Sequence, residues 1–129
     1  MRLVLASASP RRRELLRLLV PAFECEAADI DEAILLGELP ADYVCRMSAE
    51  KAARVWAPDS VVLGADTIVV CHGRVMHKPD SIADAQGMLR SLSGLTHEVM
   101  TSVTLISDLA VKTELITTRV EFAELSPEL

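Results

Sequence analysis

Aromatic residues are nearly absent from these 129 residues: two Phe, one Trp and one Tyr, 3% of a chain that is 50% hydrophobic. A core must therefore be built from Leu, Val, Ile and Ala. The chain is large enough to bury one, as a single domain spanning 1–129. Cysteine is also scarce. Cys25, Cys45 and Cys71 are odd in number, widely spaced and without a CxxC pair. That suggests reduced thiols in a cytoplasmic protein rather than a disulfide or zinc framework. Basic charge is in deficit, with a net charge of -6, which argues against non-specific binding to nucleic acid. No apolar run approaches membrane-spanning length, and Met1-Arg2-Leu3 leads into structure rather than a signal peptide. There is no internal repeat, linker, Walker A loop, GxGxxG, HExxH or GxSxG. Kinase, dehydrogenase, zincin and serine-hydrolase chemistry are unsupported.

What is present begins at once. Leu3-Val4-Leu5 is a short apolar run that predicts a buried strand. Ala6-Ser7-Ala8-Ser9 are small enough to let a ligand approach the backbone. Ser9-Pro10 predicts a helix start, with Ser as N-cap and Pro at the first helical position. Arg11, Arg12 and Arg13 fill its first turn, and Leu15, Leu16, Leu18 and Leu19 are its expected buried face. Three cations at a helix N-terminus oppose the macrodipole unless an anion compensates them. Serine hydroxyls, free N–H groups and guanidinium forks together make a phosphate cradle. A solvated basic turn is the plain alternative.

Pro21 to Cys25 predicts a second short strand, and Asp29-Ile30-Asp31-Glu32 a loop. Carboxylates so spaced either hold a hard divalent cation through oxygen or are a solvated acidic loop. Pro40 to Trp56 predicts a helix whose apolar arc carries Val44, Cys45, Met47, Ala52, Val55 and Trp56, with Arg46, Glu50 and Arg54 opposite. Lys51 falls inside that arc, where it either snorkels out or faces an anion.

Val61 to Cys71 reads as a central strand covered on both faces, interrupted by Gly64-Ala65-Asp66-Thr67. Gly64 suggests a bulge or a close approach by another group. Asp66 is costly there unless paired, hydrogen-bonded or metal-bound, and it is the leading catalytic candidate. His72-Gly73-Arg74 predicts a turn and Val75-Met76 a return strand. Ser81 to Ser93 predicts a helix with Ile82, Ala85, Leu89 and Leu92 as its stripe and Gly94 as its stop. Lys78 either reaches a phosphate or is an exposed loop residue. His72, His77 and His97 lack metal-ligand spacing. Val99 to Ile106 and Val111 to Ala123 predict a long β-hairpin. Ser126-Pro127-Glu128 has the signature of a new helix start, so a stop at Leu129 reads as truncation.

In order, Ser7-Ala8-Ser9-Pro10-Arg11-Arg12 with Leu15-Leu16, Asp31-Glu32, Glu50-Lys51-Ala52, Gly64-Ala65-Asp66-Thr67, Lys78-Pro79-Asp80, Met88-Leu89, Leu92-Ser93-Gly94, His97, Val99, Thr101 and Val103 resemble the Maf family. These are nucleotide pyrophosphatases, also called septum-formation inhibitor proteins. Gly64-Ala65-Asp66-Thr67 and the paired arginines resemble the subgroup acting on dTTP and UTP rather than on 7-methyl-GTP.

The resemblance implies an α/β fold like that of inosine triphosphatases: a mixed sheet flanked by helices, ending in the long hairpin. It implies hydrolysis of nucleoside triphosphates, non-canonical ones included, to monophosphate and pyrophosphate with a divalent cation, Mg or Mn. Ser7, Ser9, Arg11, Arg12, Lys51 and Lys78 would hold phosphates. Glu32 and Asp66 would handle the metal and the attacking water, with Lys51 beside them as a catalytic group; Arg13 is left out. Family members continue past Ser126-Pro127-Glu128 into further segments that include a glutamine of the active site. A catalytically inactive nucleotide-binding or protein-interaction remnant is therefore the alternative, and a homodimer in which each chain covers the other's exposed sheet is expected.

Overall fold

A computed structural model describes residues 2–76 and 81–121. The elements run β1 (Arg2–Leu5), α1 (Pro10–Arg17), β2 (Glu24–Cys25), α2 (Pro40–Val55), β3 (Ser60–Cys71), β4 (Arg74–Met76), α3 (Ile82–Leu92), β5 (Thr96–Ile106) and β6 (Val111–Glu121). One six-stranded sheet has the order β2-β1-β3-β5-β6, with β4 paired to the far half of β3. β1 is parallel to both its neighbours, whereas β3–β5 and β5–β6 are antiparallel. The expected α/β class with a mixed sheet and a terminal hairpin is the one observed.

From β1 the chain steps outward to β2, then returns across β1 to β3. Both are parallel crossovers, and right-handedness puts α1 and α2 on opposite faces. The carboxyl end of β1 is therefore a topological switch point, the place where open α/β sheets leave a crevice. β1 stops at Leu5, opposite Leu63, while β3 runs on for eight more residues. The β1 side of Gly64 to Thr67 thus has no strand partner among the described residues.

α2 covers its face tightly. Tyr43, Val44, Met47, Ser48 and Ala52 are buried, against Val62, Ile68 and Val70 of β3. Burying an apolar side chain of this size stabilises the fold by roughly 1.5–3 kcal/mol. Gly64 is where helix and strand come closest: a Cβ there would lie 2.5 Å from the Ser48 carbonyl oxygen and 2.8 Å from the Ala52 nitrogen. The close-approach reading of this glycine is the correct one. Beneath the helix, Ser48 Oγ bonds Ser102 Oγ at 2.7 Å and Thr104 Oγ1 at 2.8 Å, so the buried hydroxyls satisfy one another.

The other face departs from expectation. β3 alternates, with even residues from Ser60 to Val70 buried and most odd ones only half-buried. It is not equally covered on both sides. α1 buries no residue; Leu15 is exposed, and Leu18 and Leu19 are 81% and 83% exposed. The helix ends at Arg17, so Leu18 and Leu19 fall in the turn beyond it and the expected leucine face never forms. In α3 only Leu92 is buried, with Ile82 and Leu89 exposed. β2 is two residues rather than five, and β5 begins three residues early, at Thr96. β6 pairs with β5 along its whole length, yet apart from half-buried Val120 its residues are exposed.

Candidate functional site

The site lies at the carboxyl end of β1 and is built largely from backbone-fixing hydrogen bonds. Ser7 Oγ accepts from the Ser9 N–H at 3.0 Å, and Ser9 Oγ accepts from the Arg12 N–H at 3.4 Å. Ser9 is thus the expected N-cap, with Pro10 in the first turn. The capped first turn carries Arg12 towards the free edge of β3. There its guanidinium donates to the Ala65 carbonyl at 3.2 Å and to Thr67 Oγ1 at 3.5 Å. Arg12 stands where a neighbouring strand would have bonded.

From the opposite face α2 contributes Lys51. Its Nζ lies 2.9 Å from Asp66 Oδ1 and 3.3 Å from Glu32 Oε1. The Lys51 and Asp66 side chains are 12% and 6% exposed, and that of Glu32 54%. Lys51 therefore faces inward to an anion rather than snorkelling, and the buried charge of Asp66 is paired. Removing one partner of such a pair leaves an uncompensated buried charge, so the two stand or fall together.

A cavity of about 280 Å³ is lined by Ser7, Ser9, Arg12, Glu32 and Lys51, with Ala6, Ala8, Ala27 and Ala28 between them. A second, of about 440 Å³ and mainly apolar, is lined by Tyr43, Asp66, Ile68, Val75 and Met76 among others. Glu32 borders both cavities. Ser7, Ser9, Arg12, Glu32, Lys51 and Asp66 are thus gathered at one place. Arg11 is exposed and does not line either cavity. Its neighbour takes the inward position, and successive helical residues point about 100° apart. Lys78 lies outside the described residues.

The acidic loop is held by two α2 residues that the sequence reading did not single out for the site. Tyr43 Oη donates to the Glu32 carbonyl at 2.6 Å, and Arg46 Nη2 donates to the Ala33 carbonyl at 2.9 Å. Arg46 also clasps both carboxylate oxygens of Glu38, at 2.7 and 2.9 Å, and Glu50 at 2.6 Å. Its helical-wheel position, opposite the apolar arc, gave no sign of these partners. The Arg46 hydrogen bonds hold the Glu38 carboxyl below its ordinary range and push the guanidinium pKa up. Burial, then the charges of Asp66 and Glu32, raise the Tyr43 phenol, which stays a donor at neutral pH. The available signal for Tyr43 was a phenol on an apolar stripe, whose hydroxyl requires a partner when buried.

The same fold occurs in Ham1 proteins of known structure. The Staphylococcus aureus Ham1 protein superposes with a TM-score of 0.64 at 15% identity, covering 96% of this chain and 73% of that one. The Coxiella burnetii protein gives 0.58 at 13% identity, covering 94% and 72%. Sequence narrows the class further. The family model of the Maf-like proteins matches residues 2–129, and the chain belongs to that family. Among curated relatives, a protein of Hahella chejuensis named dTTP/UTP pyrophosphatase is 48% identical over 98% of this chain and 66% of its own. One of the same name from Anaeromyxobacter dehalogenans is 52% identical over 96% and 65%. The chain spans about two thirds of the length of these relatives.

Proposed function

We propose that the chain is a nucleoside triphosphate pyrophosphatase of the dTTP/UTP type, releasing monophosphate and pyrophosphate. One observation carries the reading: a polar cavity lined by two serines, Arg12 and Lys51 adjoins a buried aspartate. The names of the relatives support the substrate class.

In this reading Ser7, Ser9, Arg12 and Lys51 bind phosphate oxygens, and Arg11 and Lys78 are further phosphate ligands that the family resemblance implies. Guanidinium and ammonium groups in a partly desolvated site stabilise the charge that develops on a departing pyrophosphate. Asp66 Oδ2 accepts a proton from the water that attacks the anhydride, and Lys51, bonded to Oδ1, keeps that carboxylate oriented. Glu32 and Asp66 are the residues that would hold Mg or Mn. The donor set fits such an ion in one mode only. Among the described residues no three His, Cys, Asp or Glu side chains converge, and magnesium is commonly held by one or two carboxylates plus substrate phosphates. When bound, the ion would polarise the phosphoryl group and lower the pKa of its water.

The three unpaired cysteines fit a reducing compartment such as the cytoplasm, and no described helix is long and apolar enough to cross a membrane. The open β6 supports a homodimer, which light scattering of the purified protein tests; a monomer at all concentrations ends that part of the reading.

The main test is Asp66→Asn, assayed by pyrophosphate release from dTTP and UTP. Turnover should fall by at least about a hundredfold, the low end for general-base loss, in a protein that still melts cooperatively. Comparable turnover by mutant and parent would sink the assignment.

A further inference from the structure

Glu32 sits in a segment with little backbone support. Among the described residues, none from Ala27 to Ile34 makes a backbone–backbone hydrogen bond outside helices and strands. Yet its Oε1 reaches the Lys51 ammonium that also holds Asp66. Something must fix where this exposed carboxylate stands, and two neighbouring carbonyls are caught by α2 side chains. Arg46 takes Ala33, but it divides its donors among Ala33, Glu38 and Glu50. Tyr43 has one donor, and it points to Glu32 itself.

The phenol is a fixed donor for a structural reason. Its ring belongs to the buried cluster with Val44, Met47, Ile68 and Val70, so its rotamer is set by the core rather than by the loop. Tyr43, Met47 and Lys51 are spaced by four along α2, one stripe of the helix. One end of that stripe holds the main chain of Glu32, and the other meets its carboxylate. The core thereby dictates the place of a residue on an irregular loop.

We propose that Tyr43 is a positioning residue, holding the Glu32 main chain so that the carboxylate stands beside Lys51 and Asp66. This rests on the reading of Glu32 as a metal-handling group, and the test separates the two. Tyr43→Phe removes the hydroxyl and keeps the ring. Amide hydrogen exchange at Ala33 and Leu35, whose N–H groups bond Asp31 and Glu38 within the loop, should speed up by about fivefold, the usual worth of one hydrogen bond. Exchange in the interior of α2 should stay within about twofold of the parent. Mn2+ affinity, titrated by electron paramagnetic resonance, should fall by a similar factor. In a Glu32→Gln background the same Tyr43→Phe change should shift that affinity less than about twofold, because its effect passes through the carboxylate. Unchanged exchange in the loop overturns the proposal, and so does an equal loss of Mn2+ affinity in both backgrounds. Faster loop exchange in a protein whose parent binds no Mn2+ supports the anchor and overturns the metal reading of Glu32 instead.

Discussion

β3 separates two faces that one strand serves very differently. Towards α2 its side chains are buried without a break from Ser60 to Val70, and a glycine lets the helix press onto the backbone. Towards α1 the strand is only half-covered, Thr67 is exposed, and the helix above it buries nothing. Asp66 belongs to the first face and the Arg12–Thr67 contact to the second. A buried ion pair is thereby held by a rigid core, while the arginine bonds the Ala65 carbonyl and Thr67 at an open edge. Placement of this kind suits a site that must keep one charge dry and admit another from solvent.

The largest break in that contrast should come from its core. Met47→Ala removes a fully buried side chain and should cost about 2–5 kcal/mol. Leu18→Ala, on the open side, should stay within about 0.5 kcal/mol. Urea melts of both variants check this, and comparable losses would mean that the α1 side is as well packed as the α2 side.

Next in size are the two cations of the polar cavity, one from each face of β3. Arg12→Ala and Lys51→Ala should each weaken triphosphate binding about tenfold or more, since a hydrogen bond to a charged group contributes roughly 1.5–3 kcal/mol. The Arg12 loss should shrink more at high salt, because its side is the more open one and is better screened. Isothermal titration at two ionic strengths distinguishes them. Equal affinity in parent and variants would return both residues to a purely structural role.

Gly64→Ala sharpens the same comparison at the closest approach. The added methyl meets helix backbone rather than a flexible side chain, and overpacking of this kind costs about 1–3 kcal/mol. Thermal melting should show the loss, and Lys51 should move away from Asp66 with the displaced helix. A variant as stable as the parent would mean that α2 has room to shift.

The smallest effect is one of pH. The folded Glu38 carboxyl is held below its ordinary range by Arg46, so it favours the folded loop above the ordinary carboxylate pKa. That contribution is lost as pH falls through the depressed value. The protection of the Leu35 amide, taken relative to its intrinsic exchange rate at each pH, should therefore fall as the pH drops through that depressed value and before the sheet melts. Simultaneous loss of loop and sheet would remove the distinction.

Local signals carried the elements, and with them much of the site. The Ser9-Pro10 start of α1, the long β3 and the β5–β6 hairpin are legible because caps, apolar runs and β-branched content act over a few residues. Asp66 stood out because an acid in an apolar strand is costly wherever the strand goes. Periodicity misled where an apolar pattern met no partner, as with Leu15, Leu18 and Leu19. It was silent where a polar residue found a partner on a distant loop, as with Arg46.

By itself, then, the sequence determined the strand–loop–helix start, the central strand with its aspartate, and the kinds of charge available to a site. Only the tertiary structure decided that Lys51 reaches Asp66 fifteen residues away, that Arg12 rather than Arg11 turns inward, and that Tyr43 holds Glu32. The physical reason is one of range. Propensity and capping are settled within a turn or two of chain, whereas a salt bridge depends on sheet register and on how closely a helix lies on its strand. Here one missing side chain at Gly64 allows that closeness.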